Sequence, residues 1–242
     1  MRSSKPTFGA QTGQRLAASV LGGPGLRERK KAALREKISD TATGLFLAKG
    51  FDEVTVAQVA EAVDVSVKTV FNYFSSKEDL LFDREPAFLA SLDALAELRA
   101  PGLGLIRVMQ QDVEVRWPAM EFGRWDALDD RAATGRRAFY ALVEGHPGLQ
   151  ARRRQMTERA GERIGAIVGE EFSDPQAPDA LAASALVSAA YLAPGPEYTR
   201  QLLSGAPAVQ IVERARAVGL QALSALERAY AGTSLVDGPA AP

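Results

Sequence analysis

TVAQVAEAVDVSVKTVFNYFSSKEDLLF, from Thr55 to Phe82, holds two short helical patterns separated only by Asp64-Val65-Ser66. Thr55 stands three residues before Gln58, the spacing of a capping box, and Val56, Val59, Ala60 and Val63 form one apolar stripe. Asp64 takes the tight-turn position, where the left-handed conformation suits glycine best and Asp better than most residues. Ser66 is placed to cap the second helix. Its apolar candidates are Val67, Val70, Phe71 and Phe74, leaving Lys68, Thr69, Asn72 and Tyr73 for another face. Helices of this length are unstable alone in water. They need a packed neighbour, and the chain offers one just upstream. From Leu26 to Lys49, Leu34, Ile38, Ala42, Leu45 and Phe46 recur at helical spacing, with Gly50 where a C-terminal cap belongs.

Charge is distributed unevenly around this core. The chain of 242 residues has a net charge of −1, yet residues 1–50 carry a balance of +7 and the remainder −8. Arg27, Arg29, Lys30, Lys31, Arg35 and Lys37 load the first half of the long helix. A basic N-terminal part on an acidic body suggests an anionic partner. Cysteine is absent and His146 is the sole histidine, which removes disulfides, thiolate nucleophiles, cysteine-based metal sites and the common triads. No cofactor or metal is expected. With 46% apolar residues and no run long enough for a membrane span or a secretory signal, a soluble, cytoplasmic protein without a membrane partner is expected.

Two helices joined by so short a turn form a helix-turn-helix, which presents its second helix to the DNA major groove. Lys68 suits phosphate or guanine, Asn72 can pair with adenine, and the Thr69 and Tyr73 hydroxyls reach phosphates or base edges. Ser75-Ser76-Lys77-Glu78 reads as the start of a further helix, whose free N–H groups, with Lys77, make a phosphate seat.

The run GLFLAKGFDEVTVAQVAEAVDVSVKTVFNYFSSKEDLL, residues 44–81, resembles the TetR family of bacterial transcriptional regulators. Gly50-Phe51, Thr55-Val56, Val65-Ser66, the aromatic element ending at Phe74 and Ser76-Lys77-Glu78 carry the likeness, which covers roughly 27–82. It implies that Thr55 contacts a phosphate and that Ser66, Val67, Lys68, Thr69, Asn72 and Tyr73 line the recognition helix. Arg27 and Lys31 on the basic helix and Lys77 join the DNA-contacting set. Phe71 stands where the family often has a tyrosine that touches the DNA backbone. Asp64 replaces the usual glycine.

Only helical periodicity follows Lys77, with strand-like alternation missing, so the fold class is all-α. Helices are expected near 77–98, 102–121, 126–144, 147–172, 177–193 and 206–231, broken at Pro101-Gly102, Gly145-His146-Pro147, Asp174-Pro175 and Pro194-Gly195-Pro196. Three parts result: a flexible arm at 1–25, a helix-turn-helix domain at 26–75 and a helical ligand-binding and dimerisation domain at 76–242. Small residues crowd 177–193, and the last helix carries one broad stripe. Ala185, Ala189, Val212, Ala215, Val218, Gly219 and Ala222 are the candidate dimer surface, which would double into a four-helix bundle. Met109, Arg116, Trp117, Met120, Trp125, Phe139 and Tyr140 are the candidate lining of an effector pocket, with an Asp112–Arg116 pair nearby and His146 as a possible donor. The resemblance implies a homodimer on a palindromic double-stranded operator, most simply a repressor released by a small apolar or amphipathic effector. The effector acts by shifting the helix that begins at Lys77. A DNA-binding protein governed by a protein partner is the alternative. An all-helical enzyme is a remote one, since no convergent catalytic set stands out.

Overall fold

The computed structural model describes residues 25–97, 99–100, 102–115 and 129–238. Eleven α-helices are present among them: α1 (Leu26–Lys49), α2 (Val56–Ala62), α3 (Val67–Phe71), α4 (Glu85–Glu97), α5 (Leu105–Val115), α6 (Asp130–Gly145), α7 (Pro147–Gly169), α8 (Pro178–Leu192), α9 (Pro194–Leu203), α10 (Ala208–Ala229) and α11 (Ser234–Asp237). A 3-10 turn, Glu78–Leu80, precedes α4.

The head is α1 to α3. Ile38, Ala42 and Phe46 project from α1 at four-residue spacing, all fully buried beneath Val59, Ala60 and Val63 of the α2 region and Val70 and Phe74 of the α3 region. Burying one side chain of the size of Phe46 contributes about 1.5–3 kcal/mol. Leu34 and Leu45 are only half-buried at the margins. The turn between α2 and α3 uses Asp64 at φ 61°. Asp64 N–H donates to Glu61 O and Val65 N–H to Ala60 O, the paired bonds that close a helix through a left-handed residue.

In the body, α7 and α8 pack side by side because both are narrow where they meet. Ser184 and Ser188 of α8 donate to the carbonyls of Gly165 and Gly161 of α7, each at 3.0 Å. The small residues of α8 therefore divide: Ala183, Ser188 and Ala190 face inward, whereas Leu181, Ala182, Ala185, Leu186 and Ala189 are exposed. On α10, Ile211, Ala215, Gly219 and Leu223 form the inner row, against α5, α8 and α9.

Three expectations about elements need correction. The helix expected at 77–98 does not begin at Lys77: one 3-10 turn ends at Leu80, and the α-helix starts at Glu85 with Pro86 in its first turn. That placement suits proline, whose missing N–H has no intrahelical partner there. Pro194 opens α9 for the same reason, where a break was expected. Helix α11 was not foreseen. The arm at 1–25 lies outside the described residues except for Gly25, as do the ends of the segments expected at 102–121 and 126–144.

Helix α11 is clasped to the start of α5 through Gly104, whose N–H donates to Val236 O at 3.1 Å. A methyl group on Gly104 would come within 2.3 Å of the Val236 carbonyl carbon. Since backbone cannot yield as a flexible side chain does, Gly104→Ala is expected to cost about 2–3 kcal/mol, read as a lowered urea midpoint at unchanged slope.

Candidate DNA-binding face

Local chemistry builds the recognition helix from both ends. Thr55 and Gln58 form the capping box of α2, with Gln58 N–H on Thr55 Oγ1 (3.2 Å) and Thr55 N–H on Gln58 Oε1 (2.8 Å). Ser66 caps α3: its Oγ accepts from Thr69 N–H at 3.0 Å and lies 2.8 Å from Thr69 Oγ1. The Thr55, Ser66 and Thr69 hydroxyls are thus engaged in holding the helices, while Thr55 and Ser66 remain exposed.

With 3.6 residues per turn, Lys68 lies roughly 200° round from buried Val70, and Asn72 returns close to that direction. Both are exposed and project away from the core. Val67 and Phe71 occupy one flank, 39% and 51% exposed. They do not belong to the core, contrary to what their apolar character suggested. Only Val70 and Phe74 anchor this segment. Tyr73 lies on the opposite flank, half-buried, with its carbonyl accepting from Arg35.

The basic charge of α1 has two uses. Arg27, Lys30 and Lys31 are exposed on the first turns. Further along, Arg35 donates to Tyr73 O and Lys37 to Val63 O, placing cations on carbonyls where α3 and α2 end. Lys77 is half-buried, its Nζ over the rings of Phe51 (4.3 Å) and Phe46 (5.7 Å). Ser76 Oγ already accepts from Asp79 N–H. The long helix expected to start at Lys77 is thus a single capped 3-10 turn at this point, with the Lys77 ammonium over the two rings.

The remaining candidates fall elsewhere. Ala185, Ala189 and Val218 are exposed, and Val212 and Ala222 are half-buried. Ala215 is fully buried within the chain, and Gly219 fits against Pro194, whose Cγ a methyl there would meet at 2.6 Å. These two residues serve the internal packing of α10 and not an outer surface. Met109, Phe139 and Tyr140 are buried; Phe82, Phe139, Tyr140 and Tyr198 form a chain of edge-on rings. Phe139 also borders a cavity of about 90 Å³ with Phe82 and Met156. Arg116, Trp117, Met120 and Trp125 lie outside the described residues, while Asp112 accepts from Tyr191 OH at 2.7 Å. His146 stands between α6 and α7. It caps the junction of α6 and α7 and touches the head, with Nε2 3.5 Å from Asp52 and its ring 5.5 Å from Phe51.

The contact that joins head to body was not anticipated. Arg152 of α7 donates through Nε to Asp79 (2.7 Å) and through Nη2 to Glu85; Arg159 adds a bond to Glu85 at 3.2 Å. Ser39 of α1 donates to Leu80 O at 2.7 Å beside it. Burial pushes the Asp79 carboxyl up, but the bond and charge of Arg152 and the Ser76 contacts outweigh it and hold the group below its ordinary value.

A capped, outward-facing helix on a three-helix head, carried by a larger helical body, defines a helix-turn-helix DNA-binding transcriptional regulator. Similarity to known proteins agrees. Residues 38–83 match the model of bacterial regulatory proteins of the tetR family. The chain is 32% identical over 163 residues to the HTH-type transcriptional regulator TcmR of Streptomyces glaucescens, covering 66% of this chain and 69% of that one. It is 33% identical over 69 residues to the mycofactocin biosynthesis transcriptional regulator MftR of Mycobacterium tuberculosis, covering 28% of this chain and 35% of that one. A crystal structure from Syntrophomonas wolfei, described as a TetR-family regulator, has a TM-score of 0.51 at 14% identity, covering 80% of this chain and 96% of that one. The chain belongs to the TetR family, whose members are transcriptional regulators and not enzymes.

Replacing Arg152 by Leu leaves Asp79 without its cationic partner and Glu85 with Arg159 alone; breaking this half-buried network is expected to cost about 1–2 kcal/mol. A carboxyl with a lowered folded value contributes stability that is present above its unfolded value and lost as pH falls through the folded one. Acid titration followed by circular dichroism is therefore expected to show wild type losing this contribution below the ordinary Asp value of 3.8, and Arg152→Leu lacking it at every pH.

Proposed function

We propose that the protein is a cytoplasmic, homodimeric repressor that binds a palindromic operator through α3 and is released by a small apolar or amphipathic effector. The observation that carries the DNA reading is the pairing of Lys68 and Asn72, exposed side by side on a helix whose other face is locked into the head. Val67 and Phe71 add an apolar flank of a kind that suits thymine methyl groups. Phe71 has no hydroxyl for a phosphate, so its exposed ring is better matched to base or sugar carbon.

Dimerisation is supported by the outer row of α8, where Leu181 and Leu186 are each 51% exposed beside Ala185 and Ala189, and by Val209 and Val218 on α10. Two heads on one face of the duplex read half-sites one helical turn, about 34–36 Å, apart or a multiple of it. An apolar effector is supported by the aromatic chain from Phe82 to Tyr198. Such a ligand regulates only through different affinity for two arrangements of the heads.

The test begins with selection of bound fragments from genomic DNA. On the selected operator, Asn72→Ala is expected to lose about 1–3 kcal/mol of affinity, with little change on random DNA, in fluorescence anisotropy titrations. Uracil in place of thymine in the half-site, which removes only methyl groups, is expected to weaken wild type and to leave Phe71→Ala unaffected. A charge at the outer row, Leu186→Glu, is expected to give a monomer in light scattering and to lower operator affinity more than about 100-fold, since a lone head reads one half-site. Equal affinity for every duplex would overturn the reading.

A further inference from the structure

Between the head and the body lies a half-open cleft of about 360 Å³, within the range of small-molecule sites. Arg35 of α1 and Ser76 contribute from the head side, Asp79 and Glu85 from the connecting segment, and Arg152 and Arg159 from α7. Among these lining residues three guanidinium groups face two carboxylates.

The carboxylates are already committed. Arg152 Nε holds Asp79, while Arg152 Nη2 and Arg159 Nη1 hold the two oxygens of Glu85. Arg152 Nη1 is nevertheless buried and has no hydrogen-bond partner among the described residues. A buried polar group without a partner is uncommon and calls for an acceptor. Arg159, whose side chain is 56% exposed, makes a single side-chain bond among the described residues and has further N–H groups to offer at the mouth. Arg35 lies over Phe74, its Cζ 4.3 Å from the ring centre, and gives Nη1 to Tyr73 O. The cleft thus has donors and positive charge in excess of what the chain itself uses. An apolar ligand would strand these donors, and a cation would be repelled.

We propose that this cleft binds a small oxyanion, a phosphate monoester or a carboxylate, seated across the joint between head and body. Arg159 meets the anion at the mouth, Arg152 supplies the charge beneath it, and Arg35 faces it from the head. The cleft adjoins the aromatic chain at Phe82, which lines its wall, but accepts the opposite kind of ligand. Because the anion touches both sides of the joint, it favours one head orientation and so alters operator affinity.

The binding step is testable without DNA. Thermal unfolding of the full chain is followed with inorganic phosphate and with citrate, each against sodium chloride at equal ionic strength. The expected result is a rise in midpoint of roughly 3 °C or more at saturation for one of the two probes, which also tells phosphate from carboxylate recognition. Arg159→Gln is expected to weaken the response about tenfold or more, and Gln155→Glu, which puts a negative charge on the same wall, to abolish it. Arg163→Gln, an exposed change on the same helix away from the cleft, is expected to respond as wild type does. Equal responses in wild type and Arg159→Gln would show a general salt effect and overturn the proposal. So would the absence of any shift beyond sodium chloride, or an Arg159→Gln that loses affinity for all DNA while wild type ignores both probes. Failure of operator binding alone would leave the thermal result standing, so the two readings are tested separately.

Discussion

The seating of Phe46, Ile38 and Ala42 beneath two very short helices is the contact on which the head depends. A helix of five residues gains too few internal bonds to offset the ordering of its backbone. Its existence is therefore a property of the core under it and of the caps at its ends. Val70 and Phe74 hold α3 down, Ser66 closes its start, and Arg35 takes a carbonyl at its end. What remains outward, Lys68 and Asn72 with Val67 and Phe71 beside them, is presented at a fixed angle because nothing in the helix is left to local choice. Order in the reading surface follows from burial on the opposite side.

The joint between head and body is made differently. Beside the buried Leu80, Leu81 and Phe82 it carries a polar contact, with Arg152 spanning Asp79 and Glu85, and His146 lies edge-on to Phe51. Apolar cores tolerate few alternative packings, whereas charged groups exchange partners at smaller cost when water or another ion can replace the one lost. A firmly packed reading head on a partly polar joint is the arrangement that the proposed release by an effector requires. The 3-10 turn at Glu78–Leu80 and the delayed start of α4 at Glu85 place this joint in a segment that is not one continuous rod.

Much of the head was legible because its determinants are local. The Thr55–Gln58 box, the Ser66 cap and the left-handed Asp64 involve residues within a few positions of one another, and the structure has all three. The flank of Val67 and Phe71 was harder, since an apolar residue at helical spacing looks the same whether it meets protein or a ligand. The same ambiguity applies to Ala215 and Gly219, whose period on α10 is that of any buried stripe and does not say which neighbour buries it. The starts at Pro86 and Pro194 were misread as interior or break, although proline in a first turn marks a helix start. Least visible was the Arg152 network. Its partners are 67 and 73 positions apart, and no repeat or spacing connects them.

The serine-to-glycine-carbonyl bonds between α7 and α8 have a mechanical corollary. Helix α7 has 23 residues, about 35 Å of rigid rod, and begins at the head beside His146. The staples at Gly161 and Gly165 lie in its C-terminal part, away from the head, and join α8 to that end of the rod. The outer row of α8 travels with it. In the proposed dimer, the head end of α7 and the outer row of α8 are therefore connected through one stiff helix pair.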